Sequence, residues 1–196
     1  FYYEINEDKD KKHDHVIFNL SKNQKLIYND VRKFGFIKFF NKLNISHNFH
    51  LKNLGPEPLN DEFNTTYFKN YIVGRNRVVK DILMDQKFVS GLGNIYVNEI
   101  LFLSGVDPRK KIKSLSNLDI NNIIKFTKKI LIKAIRLGGS SIKNFSSSSG
   151  KKGSFQQYFS VYGKKGHNCS KTNCDGKIAK IVLANRASFF CNKCQK

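Results

Sequence analysis

Apolar and polar residues follow two different periods along the chain, and the change of period predicts its elements. From Phe1 to about Asn53, short apolar runs are separated by polar turns, which is typical of β-structure. Val16–Leu20 and Lys25–Tyr28 predict a hairpin, and Gly35–Phe40 predicts a further apolar strand. Because a few strands with one apolar face need a covering layer, we expect this sheet to pack against a second one.

Helical spacing follows the breaker cluster Leu54–Leu59, which we take as a domain boundary. Asn60 or Asp61 is a suitable helix cap. The apolar positions then recur at i, i+3 and i+4, which predicts helices to about Tyr71, over Arg75–Met84, over Ile95–Leu103 and over Asp119–Leu137. Two glycines in Gly91–Asn94 precede the third helix. They suit either an anion site at its N-terminus or an ordinary turn between helices.

All the cysteines lie in the last part of the chain, with four residues between the first two, sixteen between the pairs and two between the last two. Two short turns that each offer two thiolates supply the tetrahedral geometry that zinc prefers. We therefore predict one structural zinc ion, in preference to a pair of disulfides, held by Cys169, Cys174, Cys191 and Cys194.

The segment between the cysteine pairs predicts a β-hairpin. Ile178–Leu183 is an apolar run, Ala184–Ala187 is a plausible turn, and Ser188–Phe190 leads back to the second pair. We expect Arg186 near the exposed tip of this hairpin. A zinc ion with four cysteine ligands has no open coordination position, so its role is to hold the hairpin and Arg186.

The composition favours a polyanionic partner and excludes a membrane span. The net charge is +20, from 35 Lys and Arg against 15 Asp and Glu, and no run of eighteen apolar residues exists. AT-rich coding also produces lysine-rich chains, so the charge has two explanations. Ser146–Gly153 is small and polar, and suits either a linker or a loop that closes over a ligand.

Four stretches, taken in order, identify a resemblance. They are Lys12–Val16, Asp30–Gly35, Leu83–Glu99 with its Gly91–Asn94 turn, and Gly138–Ser141 continuing through Phe155–Gln157 and Val161–Gly166 to Phe189–Gln195. The sequence resembles bacterial formamidopyrimidine-DNA glycosylase, a base-excision repair enzyme, over essentially the whole chain beyond about residue 11.

The resemblance implies an α+β fold in three parts. Residues 1–55 are the remainder of an N-terminal β-sandwich, 56–157 a helix–two-turn–helix domain, and 158–196 a zinc finger with a ribbon hairpin. It implies a monomeric, cytoplasmic enzyme that binds double-stranded DNA in a cleft, removes oxidised purines such as 8-oxoguanine and formamidopyrimidines, and cleaves the strand as an abasic-site lyase by β,δ-elimination.

The resemblance also implies roles for single residues. Arg32 and Phe34 match the residues that enter the duplex where a base is flipped out. His13 and Arg75 match contacts to the DNA backbone, and Lys80 and Asn94 match residues near the phosphates of the lesion. Arg186 matches a zinc-finger arginine that contacts the phosphate of the flipped nucleotide and donates a proton in the second elimination. The serine-rich loop matches one that covers 8-oxoguanine.

One expected element of the family is missing from the sequence. The nucleophile of the family is an N-terminal proline, followed by a glutamate, and a segment of the family ahead of His13 is reduced in this chain to Phe1–Lys12. The only prolines, Pro56, Pro58 and Pro108, are interior. We therefore expect a fragment of a working glycosylase, with poor solubility alone. The alternatives are an inactive, zinc-dependent DNA-binding remnant and a zinc-ribbon protein of another kind, such as an RNA-binding factor.

Overall fold

The computed structural model describes residues 1–5, 11–41, 48–140 and 153–196. Its contacts divide the chain into two compact units. The first comprises residues 1–45 and 134–157, and the second comprises residues 46–133 and 158–196. The predicted division into 1–55, 56–157 and 158–196 stays a prediction. Most of the serine-rich segment lies outside the described residues.

The first unit contains a three-stranded antiparallel sheet. Its strands are β1 (Tyr2–Ile5), β2 (Asp14–Asn19) and β3 (Gln24–Asn29), in the order β1-β3-β2. The predicted hairpin is present as β2 and β3, with Ile17 opposite Ile27. Ile27 is one of the two middle residues of the central strand β3 and is only 2% exposed, so it lies at the centre of this small sheet.

The prediction of a strand over Gly35–Phe40 is wrong, because these residues carry no strand. Phe34, Phe36 and Phe39 are 75%, 62% and 90% exposed. A strand is stabilised by the backbone hydrogen bonds of a neighbouring strand, and this run belongs to neither of the two sheets that the described residues form. An apolar run by itself is therefore not sufficient for a strand at this position.

The described residues that follow include the helices α1 (Thr65–Ile72), α2 (Val79–Leu83), α3 (Asn94–Ser104) and α4 (Asn117–Arg136). Short 3₁₀ turns occupy Ile112–Ser114 and Phe155–Tyr158. The predicted third and fourth helices agree with α3 and α4 to within two residues at each end. Among the described residues, no helix is both long enough and apolar enough to cross a membrane.

The first two helices begin later than the sequence predicts. Residues 57–63 form turns, and Asn64 is the cap, since its side chain accepts a hydrogen bond of 2.9 Å from the Tyr67 amide. The second helix begins at Val79, not Arg75, because the backbone of Arg77 to Val79 pairs with Lys110 to Ile112 instead. These pairings are long-range, and helical periodicity does not reveal them.

The core of the second unit is aromatic near α1 and aliphatic around α3. Phe63, Phe68 and Phe88 are fully buried, and the Phe68 and Phe88 rings meet edge to face with centroids 4.9 Å apart. Gly55 belongs to this packing, because a Cβ atom there would lie 2.4 Å from the Phe88 carbonyl oxygen. The breaker cluster therefore contains a glycine that a close backbone approach requires.

The C-terminal hairpin consists of β4 (Ile178–Leu183) and β5 (Arg186–Cys191). Its turn contains only Ala184 and Asn185, both with positive φ, as two-residue hairpin turns require. The predicted four-residue turn is thus shorter in the structure, and Arg186 is the first residue of β5, opposite Leu183.

Candidate metal centre and nucleic-acid interface

The four cysteines form one cluster at the base of the hairpin. Their Sγ atoms all lie within 4.8 Å of one another, and all four thiols are free. The Sγ atoms of Cys169 and Cys194 are 3.7 Å apart, and those of Cys174 and Cys191 are 3.6 Å apart. A tetrahedral zinc site with Zn–S bonds of about 2.3 Å places its sulfur atoms about 3.8 Å apart. The cluster can therefore hold a metal ion, and its geometry fits zinc.

Backbone amides around the cluster favour thiolates, the form that binds metals. The Lys193 amide lies 3.4 Å from Cys191 Sγ, and the Lys171 amide lies 3.5 Å from Cys169 Sγ. Burial raises the pKa of the Cys191 thiol, but the amides of Cys194 and Lys193, with the thiols of Cys194 and Cys174, outweigh it and bring the pKa to about 7. This thiol therefore releases its proton near neutral pH. For Cys169 and Cys194 burial prevails and raises the pKa of the thiol.

Side chains from α2 and α3 hold the start of β5. Lys80 Nζ donates to the Ala187 carbonyl at 3.1 Å, and Asn94 Nδ2 donates to the same oxygen at 3.0 Å. Further along, the Phe189 amide donates to Asn98 Oδ1 at 2.6 Å. The hairpin is therefore fixed to the helices within a few residues of Arg186.

Glu99 anchors the entry to the cysteine-bearing segment. Its carboxylate, on α3, accepts hydrogen bonds from the backbone amides of Ser160, Val161 and Tyr162 at 2.7 to 3.0 Å. Glu99 is only 3% exposed. Because a buried carboxylate is tolerated only when its oxygens are satisfied, these bonds fix the segment to α3.

Lys80 is nearly fully buried, although the resemblance places it near phosphates. Its residue exposure is 1%, and burial lowers the pKa of its amine to about 8, with Asp81 raising that pKa and Arg186 lowering it. The amine bonds to the hairpin, as does the side chain of Asn94. The predicted phosphate contacts of these two residues stay predictions, and the observed contacts give both a supporting role beneath Arg186.

Arg186 itself is exposed at the start of β5. It stands in the same region as Lys80 and Asn94, since both bond to the residue that follows it. In the described residues the second unit therefore brings three of the predicted site residues together. Arg75 lies three residues after the end of α1. Its Nε donates to the Tyr71 carbonyl at 2.6 Å, and its guanidinium stacks on the Tyr71 ring at 4.2 Å.

The first unit presents Arg32 and Phe34 from a turn that Asp30 organises. The Asp30 carboxylate accepts from the backbone amides of Arg32, Lys33 and Gly35 at 2.8 to 3.0 Å. Together with the Tyr28 hydroxyl, these bonds, led by Gly35, lower the pKa of Asp30 to about 2. The Arg32 guanidinium lies 4.6 Å from the centre of the Phe34 ring, so the two side chains form one stacked pair.

His13 lies in the turn that precedes β2, next to the Asp30 turn that follows β3. It has a positive φ of 78°, and its carbonyl accepts from the Asp30 amide at 3.1 Å. His13, Arg32 and Phe34 therefore share one local structure. Their predicted DNA contacts remain predictions.

Sequence reasoning does not find the residues that hold the candidate side chains in place within each unit. The motifs that carry the resemblance contain Asp30, Asn98 and Glu99, but the sequence assigns these three residues no role. One signal is available for Asn98, because Asn94 and Asn98 are four residues apart and share a helix face. The three amides that Glu99 binds lie about sixty residues away in the chain, and no local pattern reveals them.

The comparisons with known proteins agree with these features. Residues 54–146 match the profile of the formamidopyrimidine-DNA glycosylase H2TH domain. The formamidopyrimidine-DNA glycosylase of Bacillus subtilis is 44% identical over 189 residues, which cover 96% of this chain and 68% of the relative. The chain belongs to the formamidopyrimidine-DNA glycosylase family. The family member of Ruegeria pomeroyi is 39% identical over 186 residues, 95% of this chain.

Solved structures give the same assignment. The Lactococcus lactis Fpg in complex with DNA that contains an abasic site has a TM-score of 0.90 and 36% identity, and the match covers 100% of this chain and 70% of that one. A mutant of the same protein in complex with DNA that contains Fapy-dG gives the same values. The chain spans 66% of the Ruegeria pomeroyi relative. The predicted family and fold class are confirmed.

Proposed function

We propose that this chain is the DNA-binding part of a base-excision repair glycosylase. The complete activity is removal of oxidised purines, 8-oxoguanine and formamidopyrimidines, from double-stranded DNA, followed by abasic-site lyase cleavage through β,δ-elimination. The observation that carries the proposal is the likeness, over the whole chain, to a family member seen in complex with abasic-site DNA. The net charge of +20 supports a polyanionic partner.

In this proposal Arg186 is the clamp on the phosphate of the flipped nucleotide. A guanidinium offers a planar set of donors that matches a phosphate, and it stays charged at any physiological pH. The same property makes it a poor acid. We therefore assign phosphate binding to Arg186 as its main role, and proton donation in the second elimination as its secondary role.

Arg32 and Phe34 form the wedge that fills the space a flipped base leaves. An aromatic ring replaces the lost stacking, and a guanidinium offers donors to the base that has lost its partner. The exposed, stacked arrangement of these two side chains supports this role, since 75% of Phe34 is open to solvent. His13 and Arg75 contribute contacts to the DNA backbone.

A single structural zinc ion completes the proposed site. Cys169, Cys174, Cys191 and Cys194 would hold it, and the ion would fix the hairpin from its base. Lys80 and Asn94 fix the same hairpin beside Arg186. Lys80 and the N-terminal end of α3, where Asn94 lies, also add positive potential near the phosphates.

The chemistry that breaks the glycosidic bond is assigned to none of these residues. The family resemblance places it on the secondary amine of an N-terminal proline, and all prolines of the 196 residues are interior. A second candidate function, for the 196 residues by themselves, is zinc-dependent binding of damaged duplex without cleavage.

Borohydride trapping on a duplex with 8-oxoguanine tests both functions. We expect the zinc-loaded 196-residue chain to bind the duplex in a steeply salt-dependent manner, with neither strand cleavage nor a trapped adduct. We expect the product of the whole reading frame that contains it to give the covalent adduct. If that product forms no covalent adduct with DNA, the proposed glycosylase function is wrong. If the 196-residue chain cleaves the duplex, our assignment of the nucleophile is wrong.

A further inference from the structure

Ser188 lies between the buried amine and the proposed phosphate clamp. It is fully buried in β5, two residues after Arg186. Lys80 Nζ lies 2.5 Å from Ser188 Oγ, and Ser188 Oγ lies 3.3 Å from the Arg186 carbonyl oxygen. One hydroxyl therefore connects α2 to the backbone of Arg186.

The direction of these two hydrogen bonds follows from the chemistry of the groups. An ammonium group only donates, so Ser188 Oγ must accept from Lys80. The hydroxyl proton is then free, and the Arg186 carbonyl is an acceptor within reach. The hydrogen bonds therefore run from Lys80 to Ser188 and from Ser188 to Arg186.

Among the described residues, Ser188 is one of two acceptors that bond to the Lys80 amine. The other is the Ala187 carbonyl, which Asn94 shares. Without the hydroxyl, a charged and nearly fully buried amine keeps one of these acceptors, and the Arg186 carbonyl loses its contact to Ser188. Loss of the Ser188 hydroxyl therefore disturbs both the Lys80 amine and the strand that carries Arg186.

We propose that Ser188 is a positioning residue that links the Lys80 amine to Arg186 and so holds the guanidinium in place for a phosphate. The inference rests on the proposed function, because it gives Arg186 a phosphate to bind. It concerns the preorganisation of the hairpin before DNA arrives, so part of it is testable without DNA.

The amine gives this link a dependence on pH. Burial lowers the pKa of Lys80 to about 8, and the charged groups that act on it are Asp81, which raises that pKa, and Arg186, which lowers it. Below that pH the amine is charged and its bond to Ser188 is charge-assisted. Above it the charge is lost and the link weakens, so we expect affinity for DNA to fall as pH rises through about 8.

The test compares Ser188→Ala with Ser188→Thr, which keeps the hydroxyl, in the zinc-loaded chain. The probe is a duplex with a tetrahydrofuran abasic analogue, and affinity is measured from about pH 7 to about pH 9.5, on both sides of the Lys80 pKa. We expect Ser188→Ala to bind about tenfold more weakly at about pH 7, equivalent to about 1.4 kcal/mol. The pH at which its affinity for the duplex has fallen halfway should be lower than in the original chain, because the charged Lys80 amine has lost an acceptor. Ser188→Thr should restore both values.

A purely structural serine gives a different result, a lower melting temperature in Ser188→Ala with an unchanged pH midpoint. That outcome overturns the proposal. If Ser188→Ala does not fold, Lys80→Met removes the same bond from the other side and should abolish the pH dependence near the Lys80 pKa of about 8. A Lys80→Met chain that keeps this dependence also overturns it.

Amide hydrogen exchange of the free, zinc-loaded chain separates this inference from the proposed function. We expect the amides of Arg186 to Phe189 to exchange faster in Ser188→Ala than in the original chain, and to recover in Ser188→Thr. Equal exchange in all three overturns the positioning role. If no chain binds the duplex and the exchange still differs as expected, the proposed function fails and the link from Ser188 to the hairpin stands.

Discussion

Removal of the metal is expected to abolish the ordered structure of residues 158–196. The four cysteines form no disulfide, so the ion that we propose is what would hold their thiolates together. Zinc binding by small cysteine sites contributes about 10–16 kcal/mol, which exceeds the stability of most domains. The measurement is an amide spectrum of the chain before and after treatment with a zinc chelator, with the zinc content determined in parallel.

The loss should reach α3 as well. Phe102 packs in one cluster with Val161, Ile178 and Phe189, and these partners belong to the cysteine-bearing segment. We therefore expect the environment of Phe102 to change on chelation, while the aromatic core near α1 stays ordered. Re-addition of zinc is the control and should restore the spectrum. A metal-free sample with unchanged folding contradicts the metal assignment.

Replacement of Glu99 by glutamine is expected to lower the free energy of unfolding by about 3 kcal/mol. The carboxylate accepts from three backbone amides in a buried site, and hydrogen bonds to a charged group contribute about 1.5–3 kcal/mol each. A glutamine nitrogen cannot accept, so at least one amide is left facing another donor. Denaturant unfolding of the zinc-loaded chain measures the change.

Glu62→Gln is the matched control, because Glu62 is exposed and the chemical change is the same. It should alter the free energy of unfolding by less than about 0.5 kcal/mol. Equal effects of the two substitutions would mean that the buried carboxylate contributes no more than a surface charge. The anchoring role of Glu99 would then be wrong.

The parts of the fold that the sequence predicts are those with local causes. The long apolar stripe of α4 and the hairpin of β4 and β5 depend on neighbours a few residues away, and both are present. The cysteine cluster also follows from short spacings, since each pair occupies one turn. The fold class could therefore be predicted from local patterns together with the order of the family motifs.

The parts that the sequence does not predict depend on distant partners. Gly35–Phe40 has the composition of a strand but joins neither sheet of the described residues, and α2 starts late because its preceding backbone pairs with Lys110 to Ile112. The same limit applies to the site. A motif alone places Lys80 beside phosphates, and only the structure reveals that its amine is buried against Ala187 and Ser188.

The central claim is that Arg186, on a metal-fixed hairpin, binds the phosphate of a flipped nucleotide while Arg32 and Phe34 fill the space that its base has left. A crystal structure of the zinc-loaded chain on a duplex with an abasic-site analogue tests it most directly. We predict an Arg186 nitrogen about 2.7–2.9 Å from a phosphate oxygen at the lesion, and the Phe34 ring between bases. An Arg186 that contacts no phosphate, with Phe34 outside the duplex, would contradict it.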